Sequence, residues 1–153
     1  MKRNTARHLV AFLAAWLLAT AWGSGVQTQF NLNAITALGI AIAPTLRLQT
    51  TLQDLLGFGP VYAGIVLLAW LPAFAVAAWL ARKRPAWRLA LFGLAAGVGL
   101  VVAIRSVDAV APMPVLIDAT RGLAGLLAMT LGSVIAAVGF AHWTRPWAGK
   151  TKA

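Results

Sequence analysis

Long apolar runs separated by short basic clusters dominate the chain, and their lengths limit what they can be. A helix rises about 1.5 Å per residue, so about 20 mostly apolar residues cross a hydrocarbon core about 30 Å thick. Four stretches meet that requirement: residues from about 8–26, 60–80, about 87–107 and about 122–143. Pro60 opens the second, at a position where a helix has no amide bond to lose. Pro112 and Pro114 forbid regular helix beyond the third, which could continue to Ala111. The pattern predicts an all-α membrane protein with four transmembrane helices in one integral membrane domain covering residues 1–153.

Residues 27–59, between the first two runs, are too apolar for a solvated loop. Leu46, Leu48, Leu52, Leu55 and Leu56 recur near helical spacing, with Arg47, Gln49, Thr50, Thr51, Gln53 and Asp54 between them and Gly57 as a stop. This reads as an amphipathic helix lying in the outer interface or folded over the bundle. Residues 30–43, closed by Pro44, are too few to span and fit a re-entrant or surface-lying helix. Gln27, Gln29, Asn31 and Asn33 alternate, a spacing that would gather them on one side of an extended strand but not of a helix. They also suit the end of the first span, where side-chain amides satisfy freed backbone groups.

Charge orients these elements. Lys2, Arg3 and Arg7, then Arg82, Lys83, Arg84 and Arg88, then Arg145, Lys150 and Lys152 all fall on one side of a four-span arrangement, ten of the 13 basic residues. Basic connections stay cytoplasmic, so both termini are expected inside. Arg47, Arg105 and Arg121 face Asp54, Asp108 and Asp118 on the other side and cancel them. Trp79, Trp87, Trp143 and Trp147 map to the inner boundary as interface anchors, whereas Trp16 and Trp70 sit at mid-helix as packing residues. Ala19-Thr20-Ala21 resembles a signal-peptidase site, but the apolar run continues through Trp22 to Val26, which favours a retained helix. Gly93 with Gly97, and Ala128 with Gly132 and Ala136, form small-residue stripes that predict close packing of the third and fourth spans.

Composition narrows the chemistry. A chain 61% apolar and 10% charged belongs to the membrane class, and its net charge of +10 flanks apolar runs instead of forming a continuous patch for nucleic acid. Without cysteine there are no disulfides, thiolate metal sites or iron–sulfur clusters. His8 and His142 both lie at inner helix ends, so they cannot oppose one another across a haem, and they cannot join the acids in a Ser-His-Asp set. There is no glutamate and no acid at mid-span. No metal, cofactor or catalytic residue is expected.

What remains is charge at membrane depth. Arg105 and Asp108 are one turn apart, and Asp118 and Arg121 repeat that spacing across a short connection. Charge within hydrocarbon costs a few kcal/mol unless paired, hydrated or snorkelled, so such residues are functional candidates. Arg105, Asp108, Asp118 and Arg121, with Gln29, Asn31 and Asn33, form the candidate ligand or partner site. Guanidinium and amide groups could bind a carboxylate or phosphate there, and the same charges would also serve as anchors fixing a hairpin. The leading expectation is a non-enzymatic multi-pass protein of the bacterial inner membrane, in contact with the bilayer and acting as a subunit or accessory factor of an assembly, or as a homo-oligomer. A small transporter or channel with an anion-favouring outer vestibule is the second expectation, and a lipid-headgroup enzyme using Asp108 or Asp118 is the third.

Overall fold

A computed structural model describes residues 2–110 and 117–145, and among them no strand occurs. The helices are α1 (Lys2–Ala37), α2 (Pro44–Gly57), α3 (Gly59–Lys83), α4 (Arg88–Val110) and α5 (Leu123–Trp143), with 3₁₀ turns at Pro85–Trp87 and Asp118–Arg121. Helices α1, α3, α4 and α5 are each long and apolar enough to cross a membrane, the architecture of a multi-pass membrane protein. Pro112, Pro114, Trp147, Lys150 and Lys152 lie outside the described residues.

The four spans form a ring in the order α1, α5, α4, α3, with each neighbour antiparallel and the diagonal pairs out of backbone contact. At one end, called the basic end, the Arg7 guanidinium donates to the carbonyls of Trp143 and Arg145. There Arg88 also donates to the Ala141 carbonyl at 3.2 Å and to the Thr144 hydroxyl at 2.8 Å. The far end carries Asp54, Asp108 and Asp118. The bundle axis between them is filled: Trp70, Leu100, Ile104 and Met129 are fully buried. Trp70 reaches across the diagonal from α3, donating from Nε1 to the Ser133 hydroxyl of α5 at 2.9 Å. In the basic half, Phe12, Phe74, Phe92 and Phe140, one from each span, meet with ring centroids 5.1–6.1 Å apart.

The first span differs from its expected limits. Residues 27–37 extend α1 without a break, so residues 30–43 do not form a separate short helix. Nothing between Val26 and Ala37 opposes helix: there is no proline, and the threonines bond back to the preceding turn, Thr28 to the Ser24 carbonyl at 3.0 Å and Thr36 to the Leu32 carbonyl at 2.8 Å. The helix stops at Gly39, whose φ of 87° is a left-handed conformation that glycine adopts without a Cβ clash. Pro72 sits inside α3 without ending it.

Small residues set the helix spacings. Gly93 and Gly97 of α4 face Val138 and Val134 of α5, at 3.1 Å from where a Cβ would stand. Gly132 does not turn toward α4. Its missing side chain makes room for the Trp22 ring of α1, 2.0 Å from a notional Cβ, and the Trp22 indole donates to the Ala128 carbonyl one turn away at 2.9 Å. Ala136, also on α5, is buried. Gly125 is the tightest position facing backbone, since a Cβ there would lie 1.9 Å from the Ala119 carbonyl oxygen.

Side chains added at these positions should rank accordingly. Gly125→Ala must displace backbone and is expected to cost about 1–3 kcal/mol, with Gly93→Ala costing less because the valine can yield. Gly139→Ala, with nothing within 4 Å, should stay within about 0.5 kcal/mol of wild type. Thermal unfolding of the three variants in detergent checks this order. A Gly139→Ala variant as unstable as Gly125→Ala would show that the α5 faces are misassigned.

Candidate functional site

Polar side chains concentrate on the second half of α1. Thr20, Ser24, Gln27 and Thr28 recur at helical spacing and are all buried, so a polar stripe faces inward as the helix approaches the far end. The alternating amides belong to this helix and not to an extended strand. Their spacing resolves into two pairs four residues apart: Gln27 with Asn31 on one face, Gln29 with Asn33 on the next.

Each face has its own partner. Gln27 Oε1 accepts from the Ala119 amide at 2.8 Å, which ties the Asp118–Arg121 turn to α1. Gln29 and Asn33 accept from Arg47 Nη1 of α2, at 2.8 and 3.0 Å. Gln29 Nε2 donates to the Thr51 hydroxyl at 3.0 Å, and the Thr28 hydroxyl lies 2.8 Å from an Asp54 carboxylate oxygen. Arg47, Thr51 and Asp54 fall at i, i+4 and i+7, one side of α2, and that side is fastened to α1 by charge-assisted and neutral hydrogen bonds. The opposite side carries Leu48, Leu52, Leu55 and Leu56, all exposed. Thus α2 is amphipathic with its polar face inward.

The charges singled out from sequence do not gather into one site. Asp118 and Arg121 form an ion pair at 2.7 Å, but their turn packs against α1 and α5 and not against α4. Arg105 is exposed and Asp108 half-buried on the last turns of α4, across the bundle from the amides of α1. The guanidinium that Gln29 and Asn33 receive is Arg47 of α2 instead of Arg105. The leucine spacing places Arg47 on an amphipathic helix, but alternate amides at the end of the first span carry no sign of which guanidinium they receive. Asn31 Oδ1, Ser24 Oγ and the Tyr62 hydroxyl are enclosed with no hydrogen-bond partner among the described residues. These enclosed groups border the polar half of α1, where burial without a hydrogen bond costs free energy.

Trp79, Trp87 and Trp143 are all exposed at the basic end, and the Lys83 ammonium lies 4.1 Å from the Trp79 ring centroid. Among the described residues no group of three or more metal-ligating side chains converges.

Replacing Arg47 with alanine removes both amide contacts and is expected to free α2 without unfolding the bundle. Amide hydrogen exchange should accelerate across residues 44–57, with the local opening free energy falling by about 1–3 kcal/mol, while α3 to α5 keep their protection. Uniform loss of protection would mean that α2 and the bundle unfold as one unit. Neither a family model nor any curated protein or solved structure matches this chain.

Proposed function

We propose that this chain is a non-enzymatic multi-pass protein of the bacterial inner membrane, with both termini in the cytoplasm, that serves as a subunit or accessory factor of a membrane assembly. The observation that carries the reading is the outward leucine face of α2, where Leu48 is 62% and Leu56 80% exposed while the polar face is bonded to α1. From Arg7 to Asn33, α1 rises roughly 39 Å, more than the roughly 30 Å of hydrocarbon. Arg47 meets α1 at Asn33, so the first turns of α2 stand among or beyond the headgroups of the far leaflet. Leu48 and Leu52 there, with Gln49 and Gln53 exposed beside them, form a mixed apolar and amide surface of the kind that protein interfaces use. The orientation rests on the basic end, where Arg7, Arg82, Lys83, Arg84, Arg88 and Arg145 collect without a single acidic side chain.

A groove of about 670 Å³ along the outer face of α3 and α4, floored by Ala69, Ala73 and Gly99 and walled by Leu68, Val76 and Val98, offers a second apolar surface within the bilayer. Small-residue floors of this kind admit a neighbouring helix closely. A solute pathway along the bundle axis would have to part Trp70, Leu100 and Met129, so conduction draws no support from this geometry.

Because the chain lacks cysteine, single cysteines test both halves of the proposal. In intact cells an impermeant thiol reagent should label a cysteine at Gln53 and leave one at Lys83 unlabelled; the reverse pattern overturns the orientation. Leu48→Gln with Leu52→Gln should dissolve a complex of defined stoichiometry seen by native mass spectrometry of gently solubilised membranes, without lowering the melting temperature of the isolated chain. If the chain migrates as the same monomer before and after substitution, the assembly role fails.

A further inference from the structure

A cavity of about 590 Å³ opens in the basic half of the bundle between α1 and α3, the neighbouring spans with the thinnest packing. Its volume lies within the range of about 300–1,000 Å³ typical of small-molecule sites. Phe12, Phe74, Phe92 and Phe140 form its interior wall, and their mutual packing holds it open as a fixed aromatic surface. Leu71 and Ala75 of α3 line it and are exposed, so it reaches the bilayer-facing side. At the basic end its mouth is rimmed by His8, Arg82 and Arg88. No acidic side chain stands at this end, since Asp54, Asp108 and Asp118 are the chain's three acids and all lie at the other.

The chemistry of this cavity is divided along its length. One part presents aromatic hydrocarbon to the membrane interior, and the other presents arginine at the depth where the first and last turns of the spans meet the headgroups. Arg88 is positioned for a ligand more firmly than a snorkelling residue would be. Its bonds to the Ala141 carbonyl and the Thr144 hydroxyl fix the guanidinium plane, and its Cζ sits 4.8 Å from the Phe92 ring centroid, where the aromatic wall begins. A fixed guanidinium presents its donors to a phosphate or carboxylate in two-point geometry. We propose that this cavity is a binding site for one anionic membrane lipid, which lays an acyl chain against Phe12 and Phe140, backed by the buried Phe74 and Phe92, and its phosphate on Arg82 and Arg88. The site does not depend on which side of the membrane the basic end faces, nor on a protein partner at α2.

Native mass spectrometry of the full chain in detergent micelles tests the assignment, with dioleoyl phosphatidylglycerol, dioleoyl phosphatidylcholine and glycerol 3-phosphate as probes. One phosphatidylglycerol should be retained, at least about tenfold more tightly than phosphatidylcholine, with no competition from millimolar glycerol 3-phosphate. Arg82→Gln should weaken it by about tenfold, the loss of one charge-assisted contact. Arg88→Gln should do at least as much; because Arg88 also fastens α4 to α5, Arg82→Gln is the deciding variant. Ala75→Phe, which fills the opening and leaves every charge in place, should abolish retention while the melting temperature holds. Lys83→Gln, at the same end but outside the cavity, should change nothing. Equal retention of phosphatidylcholine, a Lys83→Gln effect as large as that of Arg82→Gln, indifference to Ala75→Phe, or competition by glycerol 3-phosphate would each overturn the site. The first two would reveal diffuse surface attraction, the third a chain lying elsewhere, and the last a site for free phosphate.

Discussion

Arg47 held between Gln29 and Asn33 is the contact on which the arrangement of the far end depends. Hydrocarbon offers no hydrogen bonds, so a helix that carries amides and hydroxyls as it leaves the membrane must find partners for them in the protein or extend into water. In α1 the partners come from the protein: Gln27 of the inward stripe is met by the Asp118–Arg121 turn, and the next face is met by α2. The direction in which α2 folds follows from that demand. Its polar side must lie on α1, which leaves its leucines on the outside, the reverse of a surface helix on a soluble protein. Pro44 starts α2 at the position where it can turn back, and Gly57 to Pro60 lead it directly into α3.

The two ends of the bundle therefore meet their surroundings by different means. The far end closes on itself with polar side chains, Arg47 and the amides of α1 among them, and carries the exposed Asp118–Arg121 ion pair. The basic end is held by arginines that donate to helix-terminal carbonyls, Arg7 to α5 and Arg88 to Ala141, where the partial negative charge of α5 favours a cation. These arginines satisfy the backbone of a neighbouring span and still leave the end strongly positive. The aromatic wall beneath them is continuous with the buried core, since Phe74 stacks on Trp70 at 4.7 Å and Trp70 is bonded to Ser133.

Hydropathy made the four spans legible, because about 20 consecutive apolar residues have few alternatives, and the limits of α4 and α5 fall within a few residues of those expected. The α2 helix was legible from its leucine spacing. What escaped was pairing. Four amides at alternate positions fit a strand or two i,i+4 pairs equally well until the helix is known to continue, and the missing break between Val26 and Ala37 was the signal for continuation. Glycine spacing identified Gly93 and Gly97 as close-packing positions but could not say that Gly132 receives an indole from α1, since a spacing motif contains no information about which neighbour fills the gap. Gly125 carries no motif at all, and only the nearby carbonyl of Ala119 makes it special. The cavity at the basic end was likewise invisible, being assembled from residues of all four spans that no motif links.

The ring order has a consequence for biogenesis. The first span packs mainly against the last, and its other neighbour, α3, holds it less extensively. Helices α3 and α4 can pair as a hairpin as soon as they are inserted, but α1 waits for α5 to be synthesised before its principal partner exists. Closure of such a ring is the most non-local step available to this topology, and non-local steps are slow. During that interval the threonines of α1 bond back within the helix, and Gln29 and Asn33 have α2 for a partner while Gln27 has none. The α1–α2 hairpin then acts as a provisional fold, shielding the polar turns of the first helix until α5 arrives to complete the bundle.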